Sequence, residues 1–220
     1  MNTMTARERM VAAIEEAGVV AVIRLTDARR LHATVDALVE GGVRALEVTM
    51  TVPGAVDLIR ELSGSLRSDL LLGAGTVLDL DTATRVMDAG ARFVVSPVFK
   101  VELIARCHER DVVVMPGCFS PTEILTAWEA GADVVKVFPA TALGPGFFKD
   151  VKAPLPFVKL IPTGGVTLDN AGDWIRAGAA AVGVGTALLD TKAIAAGKYD
   201  VVRANAARIM ASVKSARGLS

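Results

Sequence analysis

Apolar and polar positions alternate along the chain in one repeating arrangement. A short run of mostly β-branched residues is followed by a turn and then by a segment with helical spacing. The runs begin about 20 to 26 residues apart, which is the length of one strand–helix unit. We therefore predict eight strands: VVAVIR (19–24), ALEVTM (45–50), LLLGAGT (70–76), FVVSP (93–97), VVVMPG (112–117), VVKVFP (134–139), VKLIPTGG (158–165) and AVGVGT (181–186).

Residues that end and begin helices lie between these runs. Helical segments end in glycine at positions 18, 41–42, 90, 131 and 178, a few residues before the next strand. Helix starts are indicated by Asp27, Pro53, Asp79 and Ser120-Pro121. The first 18 residues have amphipathic helical spacing, so an extra N-terminal helix is predicted before the first strand.

This alternation requires parallel strands joined by right-handed crossovers, which both an open doubly wound sheet and a closed barrel provide. Eight units, with polar residues at strand ends all around the chain, favour a single (β/α)8 TIM barrel, in which those ends converge on one mouth. No linker, charge block or low-complexity segment interrupts the chain. We therefore predict one domain over residues 1–220.

Composition and charge narrow the class of protein. The chain is 52% hydrophobic and 5% aromatic, which suits strands buried on both faces. Lys plus Arg and Asp plus Glu number 24 each, so a nucleic-acid partner is not expected. Neither a signal peptide nor a membrane span is predicted. Cys107 and Cys118 are predicted to be buried or semi-buried thiols in a reducing compartment, and the location is predicted to be cytoplasmic.

Two charged residues lie within apolar runs. Alternation places Lys136 on one strand face with Val134 and Phe138, where little bulk water is expected. Burial lowers the pKa of a lysine, and a neutral amine can attack a carbonyl carbon. Glu47 lies in a second apolar run and needs a buried partner. Lys136 could be that partner in a structural ion pair, or Glu47 could carry protons for the amine.

Polar and glycine-rich strand ends suggest how a substrate is held. Arg24 ends the first run and could grip a carboxylate with its guanidinium. Thr76 closes GAGT, where glycines let a ligand approach the backbone. Glycine-rich turns follow the seventh and eighth runs, at Gly164-Gly165 and at Gly185-Thr186, and each is predicted to open a helix. This pair of turns is typical of the phosphate site of such barrels.

Other chemistries have little support in the sequence. His32 and His108 fall in helical patterns without metal-ligand spacing, so both are predicted to be helix-surface residues and no metal is expected. The Gly183-Val184-Gly185 segment lacks the third glycine and the acidic residue of a dinucleotide site, so no cofactor is expected. Trp128 and Trp174 lie at helical spacing typical of core residues.

The ordered motifs resemble the KDPG/KHG aldolase family of class I aldolases, where KDPG is 2-keto-3-deoxy-6-phosphogluconate and KHG is 4-hydroxy-2-oxoglutarate. The resemblance covers about residues 10 to 210. The motifs are LEVT around Glu47, GAGTV (73–77), SP (96–97), MPG (115–117), KVFPA around Lys136, PTGGV (162–166) and VGVGTALL (182–189).

The resemblance implies a homotrimer that cleaves KDPG, or a close 2-keto acid, to pyruvate and glyceraldehyde 3-phosphate, or glyoxylate. It implies that Lys136 forms the Schiff base and that Glu47 transfers protons. Thr76 and Arg24 would lie at the substrate carboxylate. The other implied site residues are Pro97, Phe138 and Thr163 as lining, and Gly164, Gly165, Gly185 and Thr186 around the phosphate.

One position departs from the family pattern. Some members have an arginine shortly after the glutamate, as in LEVTLR, where this chain has Thr51. We hypothesise that Arg24 supplies the missing carboxylate contact. The departure leaves open the C4 configuration of the sugar acid, gluconate or galactonate, and leaves unphosphorylated 4-hydroxy-2-oxoglutarate as a possible substrate.

Two alternatives to an aldolase remain at this point. A sugar-phosphate epimerase on the same fold could also use a lysine, a glutamate and a two-turn phosphate site. A catalytically silent barrel kept for assembly or ligand binding is the other, although such a barrel has no need to bury Lys136 and Glu47.

Overall fold

A computed structural model describes residues 4–65, 67 and 69–219 as an α/β fold of alternating helices and parallel strands. The helices are α1 (Ala6–Ala17), α2 (Leu31–Glu40), α3 (Ala55–Ser65), α4 (Leu80–Asp88), α5 (Val101–His108), α6 (Pro121–Glu129), α7 (Gly144–Lys152), α8 (Ala171–Arg176), α9 (Thr191–Ala195) and α10 (Tyr199–Ala216). The strands are β1 (Val19–Ile23), β2 (Ala45–Thr49), β3 (Leu71–Gly75), β4 (Phe93–Val95), β5 (Val113–Met115), β6 (Gly117–Cys118), β7 (Val135–Val137), β8 (Leu160–Pro162) and β9 (Val182–Val184). The predicted N-terminal helix and strand–helix alternation are confirmed.

The strands form two parallel sheets. The larger has the order β5-β4-β3-β2-β1-β9 and the smaller the order β6-β7-β8. A single parallel bridge between Thr163 and Gly183 links the end of β8 to β9. The described strands thus confirm a parallel α/β fold, arranged as two sheets rather than as one continuous eight-stranded sheet.

The fifth predicted strand is divided in two at Pro116. Proline has no backbone N–H and cannot donate a ladder hydrogen bond. Before it, β5 pairs with β4, and after it, β6 pairs with β7. The Pro116 carbonyl accepts a hydrogen bond from the Lys136 N–H at 2.9 Å. One predicted strand therefore contributes to both sheets.

Most of the predicted helix starts are confirmed. Asp79 and Ser120 accept hydrogen bonds from the first turns of α4 and α6, and Asp27 caps the 3₁₀ turn Ala28–Arg30 that leads into α2. Helix α3 begins at Ala55, two residues after Pro53. The glycine at position 18 ends α1 with a φ of 70°, a left-handed conformation that favours glycine.

Two apolar cores lie on opposite faces of the strands. The larger is formed by the helices and the outward strand positions, and includes Leu46, Val135 and the buried Trp174. The smaller joins Met10, Val11 and Ile14 of α1 to residues at the beginnings of several strands, including Ala45, Val113 and Val134. Helix α1 therefore covers the amino-terminal ends of the strands.

The histidines, the cysteines and Trp128 lie in or beside helices and strands, at differing degrees of burial. His32 is exposed on α2, as predicted, and contacts Glu61, whereas His108, also predicted to lie on a helix surface, ends α5 half-buried near Asp133. Cys107 and Cys118 are buried, and burial raises the pKa of both thiols to about 12. Trp128 is only half-buried. Within the described ranges, none of the helices combines the length and apolar character needed to cross a membrane.

Candidate active site

Lys136 is a buried amine in the middle of β7. Its neighbours in the sheet are Gly117 and Ile161, and its side chain is 2% exposed. Burial lowers the pKa of this amine below its ordinary value of 10.5; the Glu47 carboxylate opposes the shift and the Arg24 charge adds to it. The ring of Phe138 lies 5.0 Å from Nζ. Lys136 can therefore present the neutral form that attacks a carbonyl carbon.

Glu47 is a buried carboxyl group on β2. It is 3% exposed, and its Oε1 atom has no hydrogen-bond partner in the described part of the chain. Burial raises its pKa above the ordinary value of 4.5, while the charges of Lys136 and Arg24 oppose that rise. A carboxyl group with a raised pKa binds a proton more readily than an ordinary carboxylate, so it can both accept and return protons.

The lysine and the glutamate influence each other without touching. Each changes the pKa of the other through its charge, yet no direct ion pair joins them in the part of the chain that is described. Two coupled groups whose pKa values approach each other share protons readily. The predicted grouping of Lys136 and Glu47 in one interior is therefore reproduced, as a coupled pair rather than a closed salt bridge.

A cavity of about 160 Å³ opens beside Phe138. Drug-sized ligands occupy roughly 300–1,000 Å³, so this space suits a smaller compound. Among the predicted site residues, those that line it are Arg24, Phe138, Thr163, Gly164, Gly165, Gly185 and Thr186. The structure thus brings seven of them to one cavity, and Phe138 links its lining to the Lys136 amine.

Thr76 and Pro97 also lie at the carboxyl ends of strands, but outside the lining of that cavity. Thr76 directly follows β3 with a φ of 59°. For a β-branched residue this left-handed conformation stores about 1–3 kcal/mol of strain, which proteins retain mainly at functional sites. Pro97 follows β4 half-buried, and its carbonyl lies against Gly117, where a Cβ atom would not fit.

The two glycine-rich turns differ from the prediction in one respect, since neither opens a helix directly. Gly164 and Gly165 have φ values of 89° and 72°, which a right-handed helix cannot continue, and α8 begins only at Ala171. After Gly185 the chain makes a turn, and α9 begins at Thr191. The expectation of two helix N-termini at these turns was wrong.

The turns nevertheless present hydrogen-bond donors. Within the described residues, the backbone N–H groups of Gly165 and Thr186 have no acceptor. Gly183 is level with Thr163, and a Cβ atom at position 183 would lie 2.5 Å from the Thr163 hydroxyl. Unpaired backbone donors beside a small cavity can bind an anion.

Two contributors to this site, Gly75 and Thr49, were not identified in the sequence. A Cβ atom at Gly75 would lie 2.5 Å from Cδ of Glu47, so this glycine makes room for the carboxyl group. The buried Thr49 hydroxyl donates to the Ile23 carbonyl at 3.1 Å and lies 2.7 Å from the Thr51 hydroxyl. Alternation puts Thr49 on the face of Glu47, a signal that could have identified it.

A metal site in a protein needs several ligating side chains close together. No cluster of three or more His, Cys, Asp or Glu side chains with suitable geometry is present there. The ionisable groups brought together here are instead the Lys136 amine, the Glu47 carboxyl group and the Arg24 guanidinium. That set suits addition to a carbonyl and proton transfer.

Comparison with known proteins gives the family. Residues 10–205 match the family described as KDPG and KHG aldolase. A 2-dehydro-3-deoxy-phosphogluconate aldolase of Treponema pallidum (strain Nichols) is 36% identical over 193 residues, covering 87% of this chain and 91% of that protein. A 2-dehydro-3-deoxy-6-phosphogalactonate aldolase of Escherichia coli (strain K12) is 35% identical over 170 residues, covering 77% and 83%.

Solved structures agree. A KDPG aldolase from Legionella pneumophila, in which pyruvate was captured at low pH as a covalent carbinolamine intermediate, superposes with a TM-score of 0.84 at 29% identity. The match covers 91% of this chain and 97% of that one. The family resemblance predicted from the motifs is confirmed. The chain belongs to the KDPG and KHG aldolase family.

Proposed function

We propose that this protein is a class I aldolase in which Lys136 forms a Schiff base with the ketone of a 2-keto-3-deoxy sugar acid. The observation that carries the proposal is the coupled pair Lys136 and Glu47, both buried, with pKa values displaced towards neutral forms by burial. An apolar enclosure with a single amine is the environment that covalent carbonyl catalysis requires. Family membership supports the same chemistry.

The reaction then follows from the amine. Nζ of Lys136 adds to C2 of the substrate, and the carbinolamine loses water to give the iminium ion. The iminium accepts the electron pair of the C3–C4 bond as that bond breaks. At the same time the C4 hydroxyl gives up its proton, and the fragment that contains C4 leaves as an aldehyde. The resulting enamine takes a proton at C3, and water releases pyruvate and restores the amine.

Glu47 is the proposed proton carrier for these steps. Carbinolamine dehydration needs an acid, loss of the C4 hydroxyl proton needs a base, and enamine protonation needs an acid again. A carboxyl group whose pKa is raised by burial can act in each role in turn. Its unpartnered Oε1 atom is available for this exchange.

The two ends of the substrate are assigned to different parts of the site. Arg24 and Thr76 are proposed to hold the carboxylate beside C2, and Pro97, Phe138 and Thr163 to line the carbon chain. Gly164, Gly165, Gly185 and Thr186 are proposed to bind the phosphate. The products would be pyruvate and glyceraldehyde 3-phosphate, or glyoxylate from 4-hydroxy-2-oxoglutarate.

The closure of the barrel, the assembly of the protein and its location in the cell are also proposals. We propose one domain in which the two sheets close into a single (β/α)8 barrel. The Thr163–Gly183 bridge and the continuity of the chain at Pro116 support this closure. A homotrimer is proposed from family resemblance, and light scattering with crosslinking would test the assembly. A cytoplasmic location with no nucleic-acid or membrane partner is proposed from the composition and the balanced charge.

Borohydride trapping tests the function. With pyruvate and borohydride, the protein should gain the mass of one reduced pyruvate adduct, and peptide mapping should place it on Lys136. Lys159 offers a matched control, because it lies outside the lining of the cavity and its Nζ atom forms an ion pair with Glu15 at 2.7 Å. Lys159→Met should still form the adduct, whereas Lys136→Met should not.

The alternatives give different results. An epimerase would gain no adduct and release no pyruvate, but it would interconvert sugar-phosphate epimers. A silent barrel would show no adduct, no pyruvate release from any 2-keto-3-deoxy acid and no epimerisation. Adduct formation on another lysine in the wild-type protein would contradict the assignment of Lys136. Assays with gluconate-series, galactonate-series and unphosphorylated substrates in parallel would identify the preferred one.

A further inference from the structure

The carboxyl group of Glu47 lies nearer the carboxyl-terminal ends of the strands than its own backbone does. Glu47 is paired with Gly73 in the sheet, and Thr49 is paired with Gly75. Yet Cδ of Glu47 lies 2.5 Å from the place of a Cβ atom at Gly75, one inward position further along β3. Two residues of a strand span about 6.6 Å. The side chain of Glu47 therefore leans along the strand, away from the position opposite it.

That opposite position is filled by the ring of Phe93. In the register of the sheet, Gly73 lies between Glu47 of β2 and Phe93 of β4. A Cβ atom at Gly73 would lie 2.2, 2.3 and 2.4 Å from three atoms of the ring, so the ring crosses β3 where this glycine has no side chain. The ring is completely buried and belongs to the smaller core. The ring thus lies over Gly73 and the carboxyl group over Gly75, on the same face of β3.

Packing sets the direction of this carboxyl group. Its Oε1 atom has no hydrogen-bond partner in the described part of the chain, so no polar contact holds that atom in place. Buried side chains are close-packed in fixed rotamers, and a position that one of them fills is closed to its neighbours. Because Phe93 fills the position at Gly73, the carboxyl group of Glu47 cannot turn towards the amino-terminal ends of the strands, and water cannot approach it from that side.

The charges that act on Glu47 come from other directions. Lys136 on β7 and Arg24 after β1 both lower the pKa of this carboxyl group, whereas burial has the larger effect and raises it. The inner faces of β3 and β4 present glycines and apolar side chains to it. Loss of the Phe93 ring would therefore reduce the burial of Glu47 while leaving both positive charges in place.

We propose that Phe93 is a positioning residue for Glu47, because its ring occupies the interior beside Gly73 and directs the carboxyl group towards the substrate bound at Lys136. Phe93 acts through Glu47 and carries no proton itself. The proposal rests on the proposed function for the role of Glu47, whereas the packing of the ring is a property of the protein without substrate.

The first test follows the titration of the Glu47 carboxyl group by NMR of its labelled carbon, which needs no substrate. Glu47→Gln identifies the signal by its loss. Phe93→Leu opens a gap beside the carboxyl group that water can enter, so the titration midpoint should fall by about one pH unit. Phe148→Leu is the matched control, because Phe148 is equally buried but lies in the larger core against Trp174. This variant should leave the midpoint unchanged.

The second test is kinetic. Phe93→Leu should lower kcat for aldol cleavage about 10- to 100-fold, as the displacement of a catalytic group does, and Phe148→Leu should change kcat little. In the Glu47→Gln background, Phe93→Leu should have almost no further effect, because a residue that acts through the carboxyl group has nothing left to position. Phe93→Met retains more of the buried volume and replaces Phe93→Leu in both tests if the latter does not fold.

A midpoint that does not fall in the Phe93 variant would overturn the proposal. Equal losses of kcat in the wild-type and Glu47→Gln backgrounds would also overturn it, since a purely structural role lowers both alike. Failure of the proposed function would be seen separately, as absence of the pyruvate adduct and of pyruvate release in the wild-type protein. The NMR titration would still report whether the ring holds Glu47 in place.

Discussion

Gly75 and Glu47 lie side by side on adjacent strands so closely that a Cβ atom at position 75 would be 2.5 Å from Cδ of the glutamate. Gly75 ends β3 and is paired with Thr49 of β2. The absence of a side chain at one position thus determines where the proposed proton carrier can lie. The burial that raises the pKa of Glu47 depends on the same fit.

Gly75→Ala should therefore displace the Glu47 carboxyl group. We expect kcat for aldol cleavage to fall roughly 100-fold, because misplacing a catalytic group by about 1 Å has an effect of that order. Pyruvate trapping on Lys136 should persist, since the amine does not move. Gly146→Ala is the control, as a Cβ atom there meets nothing within 4 Å. Equal kcat values for both variants would contradict the role of Gly75.

The pH dependence of Schiff-base formation should report the environment of Lys136. Only the neutral amine attacks the ketone, so the rate of adduct formation should rise with pH through a midpoint below 10.5. The Glu47 charge raises this pKa, so Glu47→Gln should move the midpoint down. The Arg24 charge lowers it, so Arg24→Gln should move the midpoint up.

These midpoints can be measured from the rate of borohydride-trapped adduct formation with pyruvate between pH 5 and 10. Shifts of the two variants in the same direction would be inconsistent with the arrangement of the three charges. Arg29→Gln, which changes a charge outside the cavity, should leave the midpoint where it is.

The buried ionisable pair should reduce the stability of the fold. Burying an amine and a carboxyl group without a direct ion pair is unfavourable, and replacing such groups with apolar or neutral ones of similar size often stabilises proteins by about 1–4 kcal/mol. The double variant Lys136→Met, Glu47→Gln should therefore have a higher free energy of unfolding at pH 7. Urea denaturation measures this, and a less stable double variant would refute the prediction.

The Thr49 hydroxyl is predicted to position the end of β1. It donates to the Ile23 carbonyl, so in its 2.7 Å contact with Thr51 the Thr51 hydroxyl must be the donor. Thr49→Val leaves the carbonyl without this donor, which costs about 1–3 kcal/mol. Because Arg24 follows Ile23 directly and lines the cavity, KM for the substrate should rise more than kcat falls.

Thr49→Ser keeps the hydroxyl and should restore both stability and KM. Steady-state kinetics and urea denaturation of the two variants distinguish positioning from packing. If serine and valine give the same KM, the hydroxyl is not what positions Arg24.

The sequence predicted the fold well where a pattern repeats. Apolar runs and glycine-ended helices placed the strands, and alternation identified Lys136 and Glu47 as buried. The division of a strand at Pro116 was missed, because apolar residues continue on both sides and only the pairing partners change. The late helix starts after Gly165 and Gly185 were missed because glycine precedes helices and left-handed turns alike.

Contacts between distant residues could not be predicted in this way. The fit of Gly75 against Glu47 and the bond from Thr49 to Ile23 depend on side-chain positions in the assembled sheet. The grouping of Arg24 with Thr186 depends on which strand lies next to β1, which is set by the return of the chain to its first strand. Periodicity carries no information about that neighbour.

Helix α1 has a consequence for the order in which molecules come and go. It covers the amino-terminal ends of the strands with Met10, Val11 and Ile14. Substrates and products therefore reach and leave Lys136 through the carboxyl-terminal ends of the strands. With C2 of the substrate bonded to the lysine, the aldehyde half lies between the enamine and the mouth. The aldehyde must then depart before pyruvate does, and in the synthetic direction pyruvate must arrive first.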